Sequence, residues 1–357
     1  MKKIQIYSIL LFLIVGTASK SFAQQQVQDV LQGGIHDANL LAQDYIAPFG
    51  KAFGSMLNEG WYNTAKTHSF PFCDLTLYWN WAMVPSSDNN FTIPNNLNVL
   101  QLQNPSLGNT SPTIAGGTGN GPSMNVMVNN PLTGRDTAVT NFKMPGGLSL
   151  KIVSLPIAQL TVGLIKNTDI SFRYMPTFNI PGAINASASL WGIGLKHDLI
   201  KDFSVLSMIP IDFSIQGGYT GFKSSVGLSL EPDANAIQTG ADYSNQKMEF
   251  DVNSYTVNLI LSKKLPSVTF YGSVGYEHSS SKFSILGTYP ITTLNANGQT
   301  QVTDITDPVS LNLAGVNGMK ANVGVRFRIV IFTLHADYTF ASYGGFTTGF
   351  GVDIDLK

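Results

Sequence analysis

A single cysteine, Cys73, occurs in 357 residues. That excludes a disulfide framework and a cysteine-based metal cluster, and Cys73 stands too far along the chain to carry a leader-proximal lipid anchor. A buried packing role is expected for it. Charge is also scarce: Asp, Glu, Lys and Arg make up 12% of the chain, about half the usual share. With a net charge of -1 there is no basic surface for nucleic acid. Past the N-terminus no apolar run reaches the roughly 18 residues of a membrane helix, so a helical membrane protein is excluded. None of the five histidines, His36, His68, His197, His278 and His335, stands in a His-x-x-x-His pattern or in an array that fixes a catalytic triad. The run Gly116-Gly117-Thr118-Gly119-Asn120-Gly121 lacks the strand, helix and lysine of a phosphate loop. No metal, no cofactor and no enzymatic activity are expected.

Polarity comes instead from Asn, Ser, Thr and Gln, alongside 34 glycines and 11% aromatics. Residues 1–23 carry Lys2, Lys3, an apolar run from Ile9 to Val15 and the small-residue site Ser21-Phe22-Ala23. This is the pattern of a secretory signal cleaved after Ala23. At the other end three segments alternate apolar and polar residues. Ala321, Val323, Val325, Phe327 and Ile329 share one face, against Asn322, Gly324, Arg326 and Arg328. Phe332, Leu334, Ala336, Tyr338 and Phe340 oppose Thr333, His335, Asp337 and Thr339, and Phe346, Phe350, Val352 and Ile354 oppose Thr347, Asp353 and Asp355. A period of two means antiparallel strands with one apolar and one polar face. Trp79 and Trp81 lie on the Leu75, Leu77, Met83 face of another such segment. Two indoles there suit a membrane interface better than a packed core, because each N–H needs a partner.

The fold expected is all-β: an antiparallel up-and-down transmembrane β-barrel of 10–14 strands with a short N-terminal helical segment. After the signal at 1–23, residues 24–68 recur at helical spacing from Ala38 to Met56 and are expected as one or two helices broken at Pro48. They either cap a barrel mouth or plug its lumen. Residues 69–357 form the barrel, with long extracellular loops at 85–147, 231–246 and 287–317 and a hairpin from Met124 to Phe142 inside the first. Short links near 166–169, 200–208, 263–267 and 330–331 alternate with the long ones, which places all long loops on the outer side. Pro156 is expected to mark a bulge or strand end, and the phase of Met248–Leu261 slips near Ser254, as a bulge would make it.

The segments Gly60-Trp61-Tyr62-Asn63-Thr64-Ala65, Leu160–Leu164 to Arg173-Tyr174-Met175-Pro176, and Gly192–Asp198 resemble those of bacterial outer-membrane barrels of the FadL-like kind, and more closely those of an uncharacterised Gram-negative barrel family. The resemblance covers essentially the whole mature chain. It implies passive uptake of hydrophobic compounds through a barrel blocked by its N-terminal segment; some relatives serve as secretion accessories.

Charge on a lipid face costs about 2–4 kcal/mol for Arg or Lys at the midplane. Arg173, Asp212, Glu249, Asp251, Glu277, Arg326, Arg328, His335, Asp337 and Asp353 are therefore expected to face the lumen. Trp79, Trp81, Trp191, Phe327, Phe332, Tyr338 and Phe346 are expected at the lipid interface. A closing turn at Val330-Ile331 puts Arg326 opposite His335 and Arg328 opposite Thr333. The expected partners are membrane lipid, outer-leaflet lipopolysaccharide and a small hydrophobic ligand, with a monomer favoured. Three roles stay open: a channel or passive transporter for small molecules in a Gram-negative outer membrane, an accessory barrel of surface or secretion machinery, and a barrel lipid hydrolase.

Overall fold

The computed structural model describes residues 35–130, 134–179, 186–202, 210–294 and 299–354. The expected signal with its cleavage site, and Asp355, lie outside them. One helix, α1 (Ile35–Leu57), precedes β1 (Cys73–Met83). The first long loop carries five short strands: β2 (Asn90–Thr92), β3 (Leu100–Leu102), β4 (Thr110–Pro112), β5 (Ser123–Asn130) and β6 (Arg135–Lys143). Then come β7 (Ile152–Gly163), β8 (Thr168–Asn179), β9 (Ser187–Asp198), β10 (Asp212–Gly227), β11 (Lys247–Lys264) and β12 (Val268–Leu286). A loop hairpin, β13 (Thr288–Leu294) with β14 (Thr300–Thr306), separates β12 from β15 (Val309–Ile329), β16 (Phe332–Phe340) and β17 (Gly345–Asp353).

Ten of these strands close an antiparallel barrel in the order β1-β17-β16-β15-β12-β11-β10-β9-β8-β7, with β7 returning to β1. Its faces are inverted relative to a soluble protein. Leu75, Val274, Val323, Leu334 and Phe350 are each half or more exposed, whereas Asp74, Asn80, Gln159, Arg173, Glu277, Asn322 and Asp353 are buried inside. A continuous apolar outer surface around a polar interior is stable against hydrocarbon and unstable in water. Among the described residues no helix is long and apolar enough to cross a membrane; the strands make the crossing.

Several expectations need correction. Helix α1 runs unbroken through Pro48. A mid-helix proline removes one intrahelical donor and crowds the carbonyl four residues back; here the adjacent Tyr45 carbonyl is taken by the Ile114 N–H of the loop, 3.0 Å away. Strand β12 reaches Leu286 and β15 starts at Val309, so residues 309–317, read as the end of a loop, are wall, and the loop itself carries the β13–β14 hairpin. No bulge occurs near Ser254, since β11 pairs without interruption with both β10 and β12 there. Cys73 is a free thiol, half-buried rather than packed in a core.

Glu249 and Asp251 do not face the lumen. They share the outer face of β11 with Tyr255, Val257, Leu259 and Leu261, while Phe250 and Val252 are buried within. A spanning strand needs only about 9–11 residues, and β10, β11, β12 and β15 run 16, 18, 19 and 21. Their far ends stand clear of hydrocarbon, where outward charge costs little. Glu249 pairs with Lys247 at 2.8 Å and Lys223 at 3.4 Å.

Replacing Leu259, in the apolar band, with Arg should destabilise the refolded barrel in lipid vesicles by about 2–4 kcal/mol. Asp251→Arg, on the same face of the same strand, should change it by less than about 0.5 kcal/mol. Equal costs by denaturant titration would remove the assignment of the band.

Candidate functional site

The lumen is filled by the chain itself. The first turn of α1 is fixed at the long-loop end, where the buried Asp37 carboxylate accepts backbone N–H bonds from Asn98, Val99 and Leu100, each at 2.8 Å. The helix then descends into an apolar layer, with Phe49 and Phe53 against Phe222 and Phe250 at centroid distances of 4.5–5.7 Å. Val153, Leu155, Ile157, Leu190, Val252, Leu311 and Leu313 complete that layer from the wall. Near the mouth Lys51 approaches Asp88 at 3.5 Å, and the Tyr343 hydroxyl donates to the same carboxylate. Partial burial alone would raise the Asp88 pKa, but the hydrogen bonds from Tyr343 and Ser87 and the Lys51 ammonium outweigh it and hold the carboxyl below its ordinary range.

The helix ends at mid-barrel, where its last carbonyls have no intrahelical donor and must be met by the wall. Asn80 donates to the carbonyls of Met56 and Glu59 at 3.1 and 3.0 Å. Arg173 donates to those of Leu57 and Glu59 at 3.0 and 2.7 Å, and Lys320 to that of Asn58 at 2.9 Å. Two cations at this end also oppose the negative pole of the helix. Just below, the Arg173 guanidinium lies 3.7 Å from the centre of the Trp61 ring, a cation–π contact in a dry site. The indole packs against Gly194 and Gly218, where a Cβ would come within 2.7 and 2.4 Å of it. Glu277 takes the Ser55 hydroxyl at 3.2 Å, and Asp337 is held by Tyr271 at 2.8 Å and Asn322 at 2.7 Å.

The bottom layer, at the short-turn end, is an ion network. Arg326 meets Asp353 at 2.5 Å and Asp74 at 3.6 Å, and Arg328 meets Asp353 at 3.3 Å. His68, from the descending segment, bonds Asp169 at 3.0 Å, and Lys196 approaches that carboxylate at 3.1 Å. A recess of about 30 Å³ beside it is lined by His68, Asp212, Arg326, Arg328 and Asp353 among others, room for a water or two. His68, Asp74 and Asp353 could converge on a metal, but the two carboxylates are already engaged by the guanidinium groups of Arg326 and Arg328.

Of the residues expected inside, Arg173, Asp212, Glu277, Arg326, Arg328, His335, Asp337 and Asp353 face the lumen. Arg326 pairs with His335 and Arg328 with Thr333 in the β15–β16 register. His335 is buried beside Tyr78, with ring centroids 4.9 Å apart. Trp191, Phe327, Phe332 and Phe346 are exposed on the outside, and Tyr338, half-buried on the same face, packs edge-on against Phe346. Trp79 and Trp81 lie parallel there, 5.9 Å apart. The sequence did not single out His68, Asp169, Lys196 and Lys320 as lumen residues; their positions opposite exposed apolar neighbours on β8, β9 and β15 were the signal for the last three.

The wall is not uniformly stitched. Strands β7 and β8 share five pairs, from Gly163↔Asp169 to Gln159↔Arg173. Above that rung, among the described residues, 152–158 pair only with β1, and Tyr174, Met175, Phe178 and Asn179 only with β9. Pro156 lies on the free edge of β7, where its missing N–H costs nothing, and β8 slips register between Met175 and Phe178, at Pro176. The result is a seam in the long-loop half of the barrel. Val153, Leu155 and Ile157 line it from within, and at its foot Arg173 bonds Gln159 at 2.9 Å while holding the end of α1.

A family of unknown function, DUF6588, matches residues 1–354 of the chain, and no curated protein matches it. Among solved structures, the translocator domain of the autotransporter NalP from Neisseria meningitidis is 11% identical, with 89% of this chain and 97% of that one covered and a TM-score of 0.29. The attachment invasion locus protein Ail of Yersinia pestis is 12% identical over 52% of this chain and 94% of its own, at 0.25. The toluene transporter TodX of Pseudomonas putida is 7% identical over 79% and 88%, at 0.22. Likenesses this weak leave the fold and the role to rest on the geometry above.

Removing Arg326 should uncover two buried carboxylates. Arg326→Leu is expected to cost about 3–5 kcal/mol in denaturant titrations of the refolded barrel, and Asp74→Asn with Asp353→Asn in the same background should recover part of it. Independent, additive losses would show that the network is not coupled.

Proposed function

We propose a function for the chain as a member of the DUF6588 family of unknown function, to which it belongs along nearly its whole length: a closed outer-membrane conduit that passes small apolar molecules between its upper lumen and the bilayer through the β7–β8 seam. The seam is the observation that carries the reading. A barrel that serves only as a rigid anchor gains from pairing every strand, yet here one junction, with a proline on each of its strands, is unpaired in its upper half. The lining at that height is Val, Leu, Ile and Phe, a surface that would bind a hydrophobic solute and not an ion. Helix α1 fills the space in the resting state, and Arg173 joins its end to the last rung of the seam. Displacing the helix therefore frees the apolar chamber and loosens the foot of the seam together. The signal at 1–23 fits export to a Gram-negative outer membrane, and no catalytic step belongs to this reading.

The second reading is a sealed accessory barrel that presents its long loops to surface or secretion machinery. It draws on the same filled lumen, whose polar contacts run from Asp37 at the top to His68 at the bottom.

In a Cys73→Ser background, Ala158→Cys with Tyr174→Cys places two thiols at the first unpaired position of the seam. Oxidation should stop uptake of N-phenylnaphthylamine by cells carrying the protein, and reduction should restore it. Uptake unaffected by oxidation, or no greater than in cells lacking the protein, overturns the conduit and leaves the sealed barrel. The intact protein should be silent in a planar bilayer, and deletion of residues 24–68 should make it conduct.

A further inference from the structure

We propose that the chain threads its own barrel from outside to inside, so that the N-terminal end of the plug lies at the cell surface. The path is fixed level by level. His36 is exposed, and Asp37 beside it is anchored to the backbone of residues 98–100 in the first long loop. Tyr45 donates to the Gly146 carbonyl near the end of that loop. Gly50 and Phe53 lie among Ser281, Leu313, Phe222 and Phe250 in the upper wall. Glu59 and Trp61 reach Arg173 at mid-height, Ala65 donates to Ser262 near the lower end of β11, and His68 meets Asp169 and Asp353 at the short-turn end. The chain then turns into β1 at Cys73, on that same side.

The direction has a physical consequence for control. A plug whose free end opened toward the periplasm could be drawn out from within the cell; this one is held at its lower end by the buried contacts of His68 with Asp169 and Asp353 and continues directly into β1. Its upper end is held by contacts to surface loops, among them Lys51 with Asp88 and Asp37 with the loop backbone. The contacts that hold the N-terminal end of α1 are thus those that face the exterior. The proposal rests on the orientation of the barrel, with long loops outward, and does not need the conduit reading.

The test uses single cysteines in the full-length Cys73→Ser protein, expressed in cells and labelled with a membrane-impermeant maleimide. Leu107→Cys, in the first long loop and 85% exposed, reports the exterior; Val330→Cys, in a short turn and 77% exposed, reports the periplasm. His36→Cys should label in intact cells to the extent Leu107→Cys does, while Val330→Cys labels only after the outer membrane is permeabilised. Labelling of His36→Cys only after permeabilisation, or under neither condition while Leu107→Cys labels, overturns the proposal. So does labelling of Val330→Cys in intact cells with Leu107→Cys protected, which would invert the barrel. A plug sealed in this direction can be retained when uptake through the seam fails, so the two outcomes are separable.

Discussion

The end of a helix at the centre of a membrane barrel is the constraint on which the rest of this structure depends. The carbonyls of Leu57, Asn58 and Glu59 lie past the last helical donors with no bulk water beside them, and an unmet buried carbonyl costs about 1–3 kcal/mol. The wall answers with Asn80, Arg173 and Lys320, side chains from β1, β8 and β15 that converge from three directions. Three strands far apart in sequence must therefore be in register for the helix to end there at all. The same cations would be expensive inside the membrane without those carbonyls and the nearby acids. Plug and wall are thus each incomplete without the other.

That mutual dependence explains the layering of the lumen. Where the plug is helical, its backbone is satisfied internally and the wall facing it can be Phe, Leu and Val. Where the plug loses regular structure, from Asn58 to His68, its backbone groups need partners and the wall becomes Ser262, Gln159, Lys196 and Arg173. The polarity of the barrel interior follows the secondary structure of the segment inside it.

Part of this was legible in the chain and part was not, for physical reasons. The Arg326–His335 pairing could be read because a two-residue turn fixes the register of its hairpin, and a period of two then assigns every side chain. Glu249 and Asp251 were misplaced because the rule that charge turns inward holds only at hydrocarbon depth, and nothing in the local pattern marks where β11 leaves it. There the outward residues become polar and the inward ones, Phe250 and Val252, apolar, because they meet α1. This inversion imitated a bulge. The pocket for Trp61 was invisible for another reason: Gly194 and Gly218 are more than 130 residues away in the chain, and a glycine in a strand does not say what it makes room for.

The two prolines of the seam show the limit most clearly. Pro156 reads as a strand end or bulge, and the run into Pro176 reads as an ordinary strand, so each alone suggests a local defect. The register sets them on the two edges that fail to meet, above a rung closed by Gln159 and Arg173. A proline on a free edge costs no hydrogen bond, whereas one facing a paired neighbour forfeits a ladder bond. Two prolines therefore suit this junction because it is unpaired, and an unpaired edge at membrane depth must be shielded by something other than lipid. The apolar layer held together by α1 backs the seam from inside. The unpaired junction in the wall and the plug in the lumen are in this sense one feature, since the barrel tolerates the first because it contains the second.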